Sequence, residues 1–318
     1  MGKPVSVAVH IGAHKTATSH FQKSLSAQRE LLIDAGIRTY GPDYLRRPGR
    51  SIQAMFGLPM RDARPARRSP QDQIAFLAKG GTRIVFTEEN LTGSLHDGAG
   101  GVVFPLCQRA EDRLTPFAAK IAPSPLDVFL CIRDPAGFLT SAYGQTILGG
   151  GSAMAPDAFR DATPLAAVNW ADVATRLRAI AQINKVTVWR YEDYAQVFRL
   201  VCRRMLRWRI GGQMNPLPSR VHEGLSAQAV AQYFDWRAKG LARDDLGLRA
   251  RAAHPVSQGH ARFRLFDDVE IAASARAYAA QIAQIEAIDG VTLLHPPTPS
   301  LPRLENPAAT SYVATARV

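Results

Sequence analysis

Between His10 and Ser19 the chain reads HIGAHKTATS, directly after the apolar run Val5–Ile11. A glycine, a lysine and three hydroxyls are crowded into the stretch from Gly12 to Ser19. Gly12 lets the backbone turn sharply. The peptide N–H groups that follow then point into the concavity, and the helix start beyond them adds partial positive charge. Lys15 contributes a full charge, and Thr16, Thr18 and Ser19 contribute hydroxyl donors. This is chemistry for holding an anion. A triphosphate loop of the G-x-x-x-x-G-K-[ST] kind requires glycine before the lysine. His14 stands there instead.

A second segment, CIRDPAGFLTSAYGQ (Cys131–Gln145), ends a strand-like run at Ile132. Arg133 follows at the strand edge. Asp134 and Pro135 make a helix cap and first helical residue. Ser141 falls about two turns into that helix, so Arg133 and Ser141 can both face the first loop. An arginine and a hydroxyl there make a second phosphate site. A third segment, FTEENL (Phe86–Leu91), places Glu88 and Glu89 at another strand end, and alternation along a strand sends them to opposite faces. His10 lies inside a strand and reads as a satisfied core histidine.

The elements that must position these groups are legible in the periodicity. Val5–Ile11, Arg83–Thr87, Leu126–Ile132 and Val186–Trp189 are β-branched apolar runs of buried-strand type. Helical patterns occupy His20–Asp34 (capped by Thr18 or Ser19 and closed by Gly36), Gln71–Lys79, Cys107–Ala119, Pro135–Leu148, Asn169–Gln182 and Tyr194–Trp208. Further patterns at Ser226–Lys239 and Asp268–Ile288 make the last third mostly helical. Tyr40–Pro70, rich in Arg, Pro and Gly, reads as loop with short helical pieces. Alternating strands and helices imply a three-layer α/β fold of P-loop type, with a parallel sheet between helices. Ligands of such sheets bind outside the strand C-terminal ends. One domain is expected over residues 1–294, followed by a Pro-rich tail over 295–318.

The 318 residues are 46% hydrophobic and 21% charged, ordinary for a globular chain. No apolar run approaches the about 20 residues that span a bilayer, and no leader opens the chain, so a cytoplasmic protein without integral membrane contact is expected. Three scattered cysteines, Cys107, Cys131 and Cys202, argue against a disulfide framework or zinc. The net charge of +12 collects in Arg46–Arg50, Arg61–Arg68 and Arg199–Arg209. That charge suits solubility or an anionic partner, but no basic-aromatic interleaving of the nucleic-acid type accompanies it.

Together HKTATS and RDPAGFLTSAY resemble the 5′-phosphosulfate loop and 3′-phosphate segment of sulfotransferases that use 3′-phosphoadenosine 5′-phosphosulfate (PAPS). The spelling is most similar to bacterial, carbohydrate-type members. WRYEDY (Trp189–Tyr194) and HEGLSAQAV (His222–Val230) look like weaker landmarks, and the likeness runs from Val5 to Val230. It departs at Ala17, where many members carry glycine; alanine asks for φ < 0 or a relaxed loop.

The resemblance implies transfer of a sulfuryl group from PAPS to a hydroxyl of a carbohydrate or glycolipid, with no metal. Lys15 would meet the bridging oxygen. His14, Thr16, Ala17, Thr18 and Ser19 would hold the 5′-phosphate, and Arg133 and Ser141 the 3′-phosphate. Glu89 would be the base, with Glu88 second and a histidine such as His10 third. The acceptor would sit among Tyr40–Pro70, Gly93–Pro105 and Gly149–Pro164. Two other classes remain open on the residues alone. One is a magnesium-dependent P-loop kinase or nucleotide hydrolase; the other is a non-catalytic anion or nucleic-acid binder.

Overall fold

In the computed structural model, which describes residues 4–60, 65–150, 153–218, 224–241 and 244–297, the run after Pro4 forms the central strand β1 (Ser6–His10). Around it lie β2 (Ile37–Tyr40), β3 (Arg83–Thr87), β4 (Leu126–Ile132), β5 (Ile183–Arg190) and β6 (Val291–Leu294). Every pairing is parallel, in the order β2-β3-β1-β4-β5-β6.

Alternation splits the strand side chains between two cores. Val7, Val9, Ile84, Phe86, Val128 and Leu130 face one layer, where Phe117, Phe138 and Trp170 pack from helices Ala110–Ile121, Pro135–Leu148 and Trp170–Ala179. Ala8, Val85, Phe129, Cys131 and Trp189 face the other. There Phe21 and Leu25 of helix Thr18–Ala27 meet Val197, Phe198 and Val201 of helix Tyr194–Met205. The fold is the expected three-layer α/β arrangement. Both faces of the sheet are covered, which is why its central strands are continuous apolar runs.

The departures have local causes. Strands β2 and β6 carry no continuous apolar run because they are the sheet's outer, partly exposed members. The pattern over His20–Asp34 is two helices, Thr18–Ala27 and Arg29–Asp34, broken at Gln28. Gln28 is diverted by a tertiary contact: its side chain donates to the Asn215 carbonyl at 2.7 Å and accepts from the Asn215 N–H at 3.1 Å. The pattern over Tyr194–Trp208 stops at Met205, and helix Trp208–Gln213 packs back on it. Gly211 makes that approach possible, since a Cβ there would lie 2.2 Å from the Arg203 nitrogen. Within Tyr40–Pro70, Tyr40 ends β2, and Pro42–Leu45 and Ile52–Phe56 form short helices. Residues 61–64 and 298–318, and His222 of the downstream landmark, lie outside the described residues. Among the described residues no helix is long and apolar enough to cross a membrane.

The topology matters most at β1. The chain passes from β3 to β4 across it, so β1 has β3 on one side and β4 on the other. Helices leave the sheet toward opposite layers at this point. The loops after β1 and β4 therefore open side by side at the strand C-terminal edge, where such sheets hold ligands.

Candidate functional site

The loop from Ile11 to Ala17 is tightly wound. Gly12, Lys15 and Ala17 all have positive φ, at 33°, 66° and 62°. Gly12 is required by contact as well as by φ: a Cβ would sit 2.6 Å from Thr18 Oγ1 and 3.0 Å from His10 Nε2. Ala17 corrects the expectation of φ < 0. It is left-handed, the region glycine enters without strain. It is also the N-cap of helix Thr18–Ala27 and offers that helix no side-chain cap. Neither Thr18 nor Ser19 caps the helix; both are inside it. The first amide groups of the helix are thus left for something other than the chain's own capping.

The hydroxyls divide. Thr16 is buried and donates to the Ala13 carbonyl at 2.5 Å, so it braces the loop from within. Thr18 reaches the same carbonyl only at 3.5 Å. Ser19 is half-buried on the first turn. The His14 ring is tied to Asn90 Oδ1 at 3.0 Å, which joins this loop to the one after β3.

Arg133 crosses to the first loop. Its Nη1 donates to the Lys15 carbonyl at 2.8 Å, and its guanidinium lies over the Tyr191 ring at 4.4 Å. Asp134 caps the following helix as expected, accepting from Gly137 N–H at 3.0 Å. The Arg133 carbonyl accepts from Trp170 Nε1 at 2.7 Å, which fixes the end of β4. Arg133 Nε would lie 3.3 Å from a Cβ on Gly137. Ser141, half-buried, is one turn further along and shares that helix face.

Two cations are thereby gathered in a largely desolvated place. Burial, then the Arg133 charge, pulls the Lys15 ammonium's pKa below its ordinary value, and Glu89 offsets part of this. Burial likewise lowers that of Arg133. Removing cations from water without full compensation is costly. An anion among Lys15, Arg133 and the uncapped helix start would relieve that cost.

The carboxylates correct the expectation of opposite faces. β3 ends at Thr87, and Glu89–Thr92 is a turn of 3₁₀ helix, so strand alternation stops before it reaches them. Both converge on Arg46. Glu88 takes a two-pronged pair from Nε at 3.0 Å and Nη2 at 2.8 Å. Glu89 Oε1 takes Nη2 at 3.0 Å, and its Oε2 accepts from Gln22 at 3.3 Å. Glu88 also accepts from the Asn90 N–H at 3.1 Å, whereas Glu89 is the carboxylate whose charge acts on Lys15. Arg46, Gln22 and Tyr191 carry no local sequence signature for these roles; Arg46 stood out only as part of an arginine cluster.

His10 is in the core but not satisfied there. Its ring, 1% exposed, stacks on Trp189 at 5.5 Å and meets Phe21 edge-on at 5.0 Å. Neither ring nitrogen has a hydrogen-bond partner among the described residues. Burial pulls its pKa down to about 4, with Glu89 opposing, so the ring is neutral near pH 7.

A cavity adjoins the loop beside Ala13, His14, Gly93 and Trp170, but at about 20 Å³ it has room for a water rather than a substrate. Among the described residues no group of three or more His, Cys, Asp or Glu is arranged to hold a metal ion. Cys131 and Cys202 are buried free thiols and Cys107 is half-buried. No protein-family model matches this chain, and no curated protein matches it.

Proposed function

We propose that the protein transfers a sulfuryl group from PAPS to a hydroxyl of a carbohydrate or glycolipid acceptor. One observation carries the reading: the Arg133 guanidinium donates to the Lys15 backbone carbonyl at 2.8 Å, so two segments that each bring a cation meet beside an uncapped helix start. Such a pair fits a donor with two separate phosphates. The 5′-phosphate would lie against the amides and hydroxyls of residues 16–19, and the 3′-phosphate against Arg133 and Ser141.

In this reading the acceptor oxygen attacks sulfur in line with the departing phosphate oxygen. The S–O bond to phosphate breaks, and its electron pair stays on that oxygen. Lys15 stabilises the charge that grows there. Glu89, held by Arg46 and Gln22, takes the acceptor's proton. The product nucleotide is 3′-phosphoadenosine 5′-phosphate.

Calorimetric titration with that product tests the reading. Binding is expected, with marked loss in Lys15→Ala and Arg133→Ala. Absence of binding, or binding indifferent to both substitutions, would sink it. Affinity for Mg·ATP instead would replace it with a kinase or nucleotide hydrolase.

A further inference from the structure

His10 poses a problem that packing alone does not solve. A phenylalanine would stack on Trp189 and Phe21 equally well, yet the ring here buries two nitrogens without partners among the described residues. Leaving buried polar atoms unpaired costs free energy. One of them, Nε2, is aimed at the loop: it lies 3.0 Å from where a Gly12 Cβ would be. Thr18 Oγ1 lies 2.6 Å from the same point. The ring nitrogen and the hydroxyl therefore frame one small space, kept open because residue 12 is glycine.

Thr18 has only a long contact, 3.5 Å, to the Ala13 carbonyl. A hydroxyl offers one proton and two lone pairs. An anion in the loop would draw that proton toward itself, and the rotation would turn one of the lone pairs toward His10.

We propose that His10 is a positioning residue for the bound anion: its Nε2–H donates to the Thr18 hydroxyl when Thr18 donates to the anion. Nε2 is then paired only on binding, while Nδ1 keeps the same surroundings in both states, so His10 adds to affinity without touching the ligand. The inference rests on the loop's holding an anion, not on the nucleotide's identity.

A double-mutant cycle tests it. Wild type, His10→Phe, Thr18→Val and the double variant are titrated calorimetrically with 3′-phosphoadenosine 5′-phosphate and, separately, with pyrophosphate. His10→Phe is expected to weaken binding about tenfold, the worth of a hydrogen bond in a charged network. The double variant should bind no more weakly than Thr18→Val alone, because His10 acts through Thr18. His10→Gln, whose amide can donate into the same space, should recover part of the loss. Wild-type affinity in His10→Phe, or losses that multiply in the double variant, would overturn the proposal. So would a wild type that binds neither anion. A wild type that binds pyrophosphate but not the nucleotide removes the PAPS reading while the cycle still decides His10. Should His10→Phe not fold, ¹⁵N NMR of the wild-type ring decides: anion saturation should place a hydrogen-bonded proton on Nε2, and an unchanged ring signal overturns the proposal.

Discussion

Arg133 donates from Nη1 to the backbone carbonyl of Lys15 at 2.8 Å, so the residue that ends β4 holds the loop that follows β1. The bond ties the guanidinium to the backbone of the other cationic residue, so two segments remote in sequence meet at one sheet edge. Arg133→Lys keeps the charge but not the planar fork. It should weaken binding of 3′-phosphoadenosine 5′-phosphate about tenfold, and Arg133→Ala more, as expected for losing a charged hydrogen bond. Equal affinities for wild type and Arg133→Ala would remove Arg133 from the site.

The two glutamates should separate in kinetics. In the proposed sulfuryl transfer, Glu89→Gln should lower kcat about 100-fold or more, the usual worth of a positioned base. It should bind the product nucleotide as tightly as wild type or more so, since a negative charge acting on Lys15 is gone. Glu88→Gln should leave kcat closer to wild type, its carboxylate being committed to Arg46 and the Asn90 N–H. Measuring kcat and nucleotide Kd separately for each variant checks the assignment; a larger kcat loss in Glu88→Gln reverses it.

Ala17 stores backbone strain at φ 62°. Ala17→Gly relieves about 1 kcal/mol of it, partly offset by the extra freedom glycine gives the unfolded chain. A net stabilisation below about 1 kcal/mol is expected, whereas Ala17→Val, β-branched at positive φ, should be destabilising. Urea denaturation of the three proteins distinguishes these signs.

His10 makes stability depend on acid. Its folded pKa, about 4, lies below the ordinary 6.5 because of burial. The unfolded chain therefore binds the proton more readily. The contribution is whole above pH 6.5, declines as pH falls, and is gone below about pH 4. The difference amounts to about 3 kcal/mol. Between pH 7 and pH 4 wild type should lose about that much more stability than His10→Phe in urea titrations. Parallel losses would place the acid sensitivity elsewhere.

Far from the site, buried Arg83 and half-buried Asp127 form an ion pair at 2.7 Å, with Arg83 also bonded to the Met205 carbonyl at 3.0 Å. Asp127→Ala strands the guanidinium and should cost about 3–5 kcal/mol. The double replacement Arg83→Met, Asp127→Leu should recover most of it, as measured by chemical denaturation.

Much of the scaffold is legible in the chain itself. The runs at β1, β3 and β4 are apolar throughout because both faces of the sheet are covered, and the Asp134-Pro135 cap announces its helix. Outer strands β2 and β6 escape notice because partial exposure admits polar residues. The break at Gln28 depends on Asn215, a partner distant in sequence.

The same division holds at the site. Gly12, Lys15 and the hydroxyls are legible locally, because turn, charge and helix start are properties of neighbouring residues. That Lys15 meets Arg133, that Glu88 and Glu89 share Arg46, and that His10 points an unpaired nitrogen at Gly12 depend on parallel strands that bring remote segments to one edge. The residue types and their spacing determined which charges, hydroxyls and turns the chain has to offer. Only the tertiary structure decided which charges face one another, because strand pairing and desolvation act between residues the sequence keeps far apart.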